Sequence, residues 1–138
     1  MNKKSLTEAD IRTKFITPAI VGEGGKKWDV MTQILEEHTF TKGRVIVRGK
    51  TVQRGEAKKA DYILFYKPNI PIAVIEAKDN NHSVGAGMQQ ALEYAEILDV
   101  PFAYSSNGDA FLEHDRTAGT GVVERQIPLD RFPTPDDL

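Results

Sequence analysis

The chain has 138 residues, 40% of them hydrophobic and 28% charged, and its 18 Lys+Arg against 20 Asp+Glu leave a formal net charge of -2. That length suits one domain with one core, and the composition is that of a globular chain rather than a disordered or collagen-like one. Cys is absent, which removes disulfide scaffolds, thiolate zinc sites and Cys nucleophiles. The longest apolar stretch, Ile70 to Ile75, is far too short to span a bilayer. The opening Met-Asn-Lys-Lys-Ser leads into no apolar secretory segment.

A net charge near zero argues against a nucleic-acid partner until the chain is divided. Residues 1–60 carry 13 Lys+Arg against 7 Asp+Glu, whereas residues 61–138 carry 5 against 13. The positive excess concentrates in Lys42, Arg44, Arg48, Lys50, Arg54, Lys58 and Lys59, opposed within that stretch only by Glu56. Cations spaced in this way can neutralise several phosphates. They can equally form a solvated basic edge that discourages strand aggregation.

In chain order, residues 6–21 are expected to form a first helix, capped by Ser5 or Thr7, with Glu8 and Asp10 in its first turn. Ile11, Phe15, Ile16 and Ile20 mark its apolar face, and Pro18 predicts a kink or break. Gly22 to Gly25 is a loop. Val30, Met31, Ile34 and Leu35 predict a second helix over Trp28 to His38, with Trp28 as a core anchor. Residues 41–78 then read as a meander of about three strands, on period-two patterning. It includes Arg44 to Arg48, a turn at Gly49-Lys50, Asp61 to Lys67, a turn at Pro68-Asn69, and Ile72 to Lys78. After a polar loop, Met88, Ala91, Leu92, Ala95 and Leu98 predict a helix over Val84 to Leu98. Pro101 to Ser105 is a short strand, Asn107-Gly108 a hairpin turn, Ala110 to Glu113 the returning strand, and Gly119 to Ile127 an edge strand.

Chemistry concentrates at Asp61 and at Glu76-Ala77-Lys78. Residues two apart in a strand share a face, so Glu76 and Lys78 point together, on the face expected for Ile72 and Val74. Apolar side chains should occupy that face where the strand ends, and two opposite charges stand there instead. Were the Asp61 strand its neighbour, a second carboxylate would reach the same spot. Two carboxylates can hold a hard divalent cation, Mg²⁺ by preference, through oxygen ligands. Such a cation polarises a phosphoryl oxygen and acidifies a bound water, while a lysine orients that water or offsets developing negative charge. A bare Glu-x-Lys is also a common strand-end ion pair.

In this order of elements, Ala60-Asp61 and Glu76-Ala77-Lys78 give the chain a pattern that resembles the PD-(D/E)xK nuclease superfamily. The Pro that usually precedes the Asp is Ala60 here. Gln90 and Tyr94, at i and i+4 on one helical face, match the Gln-x-x-x-Tyr element of RecB-like nucleases and type I restriction enzymes. The stretches Thr7–Arg12, Lys59–Leu64, Ala73–Lys78 and Val100–Gly108 are similar to the N-terminal nuclease domain of the R subunit of type I restriction endonucleases. The likeness covers nearly the whole chain.

That resemblance implies an α/β (α+β) fold with a restriction-endonuclease-like core. Its mixed central sheet would be flanked by helices in the order αβββαβ. It implies a nuclease domain over 1–130, with 131–138 beginning a linker to an ATP-driven motor. Asp61 and Glu76 would be metal ligands for Mg²⁺, with the Ala77 carbonyl as a further contributor, and Lys78 the catalytic lysine. Glu8, or Asp10 after it, would add an acidic group from the first helix. Gln90, Tyr94, Lys58 and Lys59 would contact DNA, or Gln90 and Tyr94 would order the site. The implied partners are double-stranded DNA and the methyltransferase and specificity subunits of a cytoplasmic restriction complex, with no membrane. ATP would act only through the motor, since Gly24-Gly25-Lys26 lacks the first Gly and the Ser/Thr of a P-loop. Two other readings stay open: a non-catalytic binding or docking module on this fold, and a repair or junction nuclease. His38, His82 and His114 show no metal-ligand spacing, and Ser105-Ser106 lacks a nucleophile-elbow context.

Overall fold

The computed structural model describes residues 2–41, 46–48, 51–53, 57–117 and 123–138, with side chains described for 2–40, 58–117 and 123–138. Six strands form one mixed sheet in the order β1-β4-β5-β6-β7-β8, and β2 and β3 pair separately. The strands are β1 (Ile34–Thr41), β2 (Ile46–Arg48), β3 (Thr51–Gln53), β4 (Ala57–Lys67), β5 (Ile70–Ala77), β6 (Phe102–Ser106), β7 (Ala110–Asp115) and β8 (Glu124–Pro128). All neighbours in the large sheet are antiparallel except β5 and β6, which run parallel. A parallel pair needs a crossover, and α3 (Met88–Leu98) supplies it. The core thus follows the expected αβββαβ order, with the β2–β3 hairpin inserted between β1 and β4.

Two apolar layers cover the sheet. On one face Tyr62, Leu64, Ala73, Ile75 and Tyr104 pack against Ile11, Ile16 and Ile20 of the N-terminal helical segment, with Trp28 and Phe132. On the other, Ile63, Val74 and Ala103 pack under Met88, Ala91, Tyr94 and Ala95 of α3. The alternation along β5 holds from Ala73 to Ala77. Ile72, however, packs with the first layer, away from Val74, because the β4–β5 register shifts on either side of Phe65. Residues 131–138, expected as the start of a linker, have Phe132 buried among Tyr104, Phe111 and Trp28. The Trp28 indole donates to the Pro133 carbonyl at 2.8 Å, so Trp28 is the anchor its size predicted.

The first helix is α1 (Glu8–Ile11), a π-helical turn Arg12–Ile16 and α2 (Thr17–Val21) in succession. Thr7 is the cap, in a reciprocal box with Asp10. Pro18 causes no break. The Thr17 amide bonds back to the Arg12 carbonyl, and Pro18 falls in the first turn of α2, where a missing N–H is tolerated.

The helix expected over Trp28 to His38 is not formed. Asp29 folds a turn instead: its carboxylate accepts from the Met31 amide and the Thr32 hydroxyl, and its carbonyl from the Gln33 amide. Ile34 then pairs with Leu64 as β1 begins. Val30, Met31 and Leu35, whose spacing mimicked a helix face, are exposed, so pairing with β4 outweighs a local pattern that buries little. The helix expected from Val84 starts at Met88, after a turn over 84–87. The expected turn at Gly49-Lys50 and residues 119–122 of the expected edge strand lie outside the described residues, as do Lys42, Arg44, Lys50, Arg54 and Glu56.

Candidate active site

Asp61 and Glu76 sit side by side on the antiparallel strands β4 and β5, one position beyond the Tyr62–Ile75 pair. Their carboxylates interlock with the backbone. The Asp61 amide donates to Glu76 Oε2 at 2.8 Å, and the Ala77 amide donates to Asp61 Oδ2 at 2.8 Å. Each side chain thereby satisfies an amide on the other's strand, and one oxygen of each carboxylate is committed to a fixed direction. Asp61 is half-buried, and Glu76 is only 4% exposed.

Lys78 follows the last residue of β5, its amide held by the Ser106 carbonyl at 2.9 Å. Its ammonium lowers the pKa of Glu8, Asp61 and Glu76 alike, which places it within electrostatic reach of all three. Among the described residues it forms no ion pair with Glu76 within 4.0 Å, so the common strand-end pairing is not what keeps it here.

Burial raises all three carboxylates. Burial is the main cause for Glu76, followed by repulsion from Asp61 and then Glu8 beyond the Asp61 amide bond, and its pKa is pushed up to about 8. Burial also lifts Asp61, against the hydrogen bond from the Ala77 amide and the charges of Arg12 and Lys78. Glu8 rises through burial and then through Asp61. Glu8 thus stands within electrostatic reach of the strand pair, whereas Asp10 accepts the Thr7 amide through one carboxylate oxygen. The side-chain donors of Asp61, Glu76 and Glu8 are all oxygen, which suits a hard divalent cation. Among the described residues no group of three or more His, Cys, Asp or Glu side chains is arranged to hold a metal alone. Two carboxylates alone would suit an ion that keeps much of its water, as Mg²⁺ does.

Gln90 and Tyr94 lie on α3, where Gln90 Nε2 donates to the Tyr94 hydroxyl at 2.6 Å. Tyr94 is buried, with its ring edge-on to Phe40 at 5.2 Å, and burial followed by the Glu76 charge raises its pKa. Gln90 is exposed. Lys58 approaches Glu93 of the same helix at 3.6 Å, and Lys59 approaches Glu37 at 3.3 Å. A groove beside α3 is lined by Lys58, Ala86, Gln89, Gln90 and Glu93.

With that geometry in place, comparison with known proteins is informative. Residues 44–121 match the model of the family described as the type I restriction enzyme R protein N terminus. The chain belongs to this family. It is 52% identical, over its whole length, to the endonuclease subunit of the type I restriction enzyme EcoAI from Escherichia coli, of which it spans 17%. It also superposes with a TM-score of 0.72 and 49% identity on a solved fragment of a chain assigned as an HsdR subunit of a type I restriction enzyme from Vibrio vulnificus YJ016. That match covers 96% of this chain and 24% of the other.

Within this R-protein N-terminal domain, sequence reasoning missed the residues that brace the site. Ser105 accepts the Gly87 amide at 2.9 Å and donates to the Val84 carbonyl at 2.8 Å. Asn80 Nδ2 donates to the Asn107 carbonyl and Asn107 Nδ2 to the His82 carbonyl, so the loop after Lys78 is clamped to the β6–β7 turn. The signal is the polar Ser105-Ser106-Asn107 run at the end of an apolar strand. Arg12 was missed as well. It pairs at 3.1 Å with Glu37, which also holds Lys59.

Proposed function

We propose that this chain is the DNA-cleaving domain of a type I restriction enzyme R subunit, hydrolysing phosphodiester bonds of double-stranded DNA with Mg²⁺. The single observation that carries the reading is the interlocked Asp61–Glu76 pair with the Lys78 ammonium beside it. Such a grouping is costly to bury, and stability alone gives no reason to assemble it.

In this reading Asp61 and Glu76 hold the cation, aided by the Ala77 carbonyl, and Glu8 acts from the helix side. When bound, the ion supplies a Lewis acid for the phosphoryl group and an acidified water. The backbone amides of Asp61 and Ala77 fix the two carboxylates before substrate arrives. Glu76, whose pKa burial raises, would have to be ionised to hold the ion. Lys78 orients the attacking water or lies against a phosphoryl oxygen. Gln90 and Tyr94 contact the DNA near the scissile phosphate or order the site, and Lys58 and Lys59 exchange Glu93 and Glu37 for backbone phosphates.

The rest of the subunit would supply ATP-driven translocation before cleavage, and the methyltransferase and specificity subunits would supply recognition, in the cytoplasm. Among the described residues no helix is long and apolar enough to cross a membrane. The test is plasmid cleavage by the whole complex with Mg²⁺ and ATP, comparing wild type with Glu76→Ala and Lys78→Ala. Both variants should translocate without cutting. Cutting that survives both substitutions refutes the assignment.

A further inference from the structure

The charge of Arg12 reaches the Glu8 and Asp61 carboxylates, yet the proposed mechanism gives this residue no task. It lies four residues after Glu8, so the two share a helical face, and the π-helical turn begins at Arg12. Such turns are frequent at functional sites. Its side chain is 11% exposed, and Nη2 donates to Glu37 Oε2 at 3.1 Å. Its Nε and Nη1 are buried without a hydrogen-bond partner among the described residues. Unfilled buried donors are costly and rare, and each asks for an explanation.

Glu37 gives a second, independent pointer. It sits inside β1 with φ 50, between the Glu36–Tyr62 and His38–Ala60 pairs, and so beside Asp61 of the next strand. A non-Gly residue in this left-handed region is strained, and such strain collects at functional sites. Here it accompanies a carboxylate placed on Arg12 and Lys59. The Arg12 charge is felt at both Glu8 and Asp61, although among the described residues neither lies within 4.0 Å of it as an ion pair.

We propose that Arg12 is a positioning residue of the nuclease centre: anchored by Glu37, its guanidinium sets where the Asp61 and Glu8 carboxylates stand when a divalent cation enters. The inference rests on the nuclease reading. Three carboxylates drawn together repel one another, and Lys78 offsets them from the end of β5. Arg12 does so from the helix side. A planar guanidinium fixed through Nη2 keeps its remaining donors in a set direction, which a flexible ammonium does not.

The test uses the whole R subunit carrying Arg12→Met, Arg12→Lys or Glu37→Gln. Mn²⁺ affinity is measured by calorimetry without nucleotide, taking the binding that Asp61→Ala abolishes as that of the nuclease centre. Cleavage and ATP hydrolysis are measured in the assembled complex. Arg12→Met should weaken Mn²⁺ binding and slow cleavage by roughly tenfold or more, as loss of an outer-shell partner does. ATP hydrolysis should be unchanged. Arg12→Lys should recover part of both losses, and Glu37→Gln should shift both in the same direction. Should Arg12→Met not fold, the half-exposed Glu37 position carries the test. Tighter Mn²⁺ binding would make Arg12 a mere repelling charge and overturn the proposal. Slow cleavage with unchanged Mn²⁺ affinity would assign Arg12 to DNA and overturn it too. Wild-type behaviour of Arg12→Met beside an inactive Glu76→Ala defeats this inference alone. Cutting by Glu76→Ala defeats the nuclease reading itself.

Discussion

Asp61 and Glu76 are tied by exchange: the Asp61 amide donates to Glu76 Oε2, and the Asp61 carboxylate accepts from the amide that follows Glu76, both at 2.8 Å. Side chains thus stand where a β-ladder would use carbonyls. The arrangement holds two like charges in adjacent strands, in a place where burial disfavours either being ionised. The domain pays for this geometry with stability, and the cost should be visible in its pH dependence.

Glu76 has a folded-state pKa raised from 4.5 to about 8. The folded state therefore holds this proton more tightly than the unfolded chain. Stability from Glu76 is full below pH 4.5 and is lost as pH rises towards 8. Taken at face value, the shift is worth at most about 5 kcal/mol. We expect urea midpoints of the metal-free domain to fall across that window and Glu76→Gln to flatten the profile. A midpoint in wild type that rises from pH 5 to 8 would contradict the buried-acid account.

The same proton should couple to metal. A ligand carboxylate must be deprotonated, so divalent-cation binding releases protons and tightens with pH. Near neutral pH, titration of Mn²⁺ should release close to one proton, read from heats in buffers of different ionisation enthalpy. The release should vanish in Glu76→Gln, and Asp61→Ala should remove binding. Proton release unchanged by Glu76→Gln would place the titrating group elsewhere.

Much of this was legible in the sequence where local pattern and tertiary demand agree. The apolar run into Glu76-Ala77-Lys78 became the central strand β5, and Met88, Ala91 and Ala95 became the buried stripe of α3. Asp61, Glu8 and Lys78 all act on the Glu76 charge; strand periodicity pointed to the first and last, and Glu8 followed only from the resemblance. The failure at Trp28 to His38 has a physical cause. Helical spacing of Val30, Met31, Ile34 and Leu35 is a local signal, whereas β1 exists through its pairing with β4, whose residues lie some two dozen positions on in the chain. Arg12 was illegible for a related reason: its partner Glu37 occupies the segment misread as a helix, and a strained φ leaves no trace in composition.

Gly87 tests how tightly the site is braced. Its backbone is not in the left-handed region, so the reason for glycine here is space. An added Cβ would lie 3.1 Å from Ser105 Oγ and 3.2 Å from the Glu76 Cβ. Gly87→Ala should cost about 1–3 kcal/mol of stability by overpacking. It should also slow cleavage, because the displaced atom carries the Glu76 carboxylate proposed to hold the cation. Chemical denaturation and plasmid cutting measure the two effects. An Ala variant as stable and active as wild type would show that the α3 start can shift without moving Glu76.

Tyr94 separates bracing from contact with DNA. Its ring packs on Phe40, while its hydroxyl accepts from the exposed Gln90 amide at 2.6 Å. Tyr94→Phe keeps the ring and removes only the hydroxyl, so stability should change by about 1 kcal/mol or less. If Gln90 and Tyr94 serve the DNA, Tyr94→Phe and Gln90→Ala should each slow cleavage about tenfold or more at unchanged Mn²⁺ affinity, since one positioned polar contact is worth at least that in rate. If they only order the site, both variants should instead weaken Mn²⁺ binding, because the Tyr94 environment is set in part by Glu76. Parallel calorimetry and cleavage assays distinguish these outcomes, and wild-type values in both assays would remove the pair from the site.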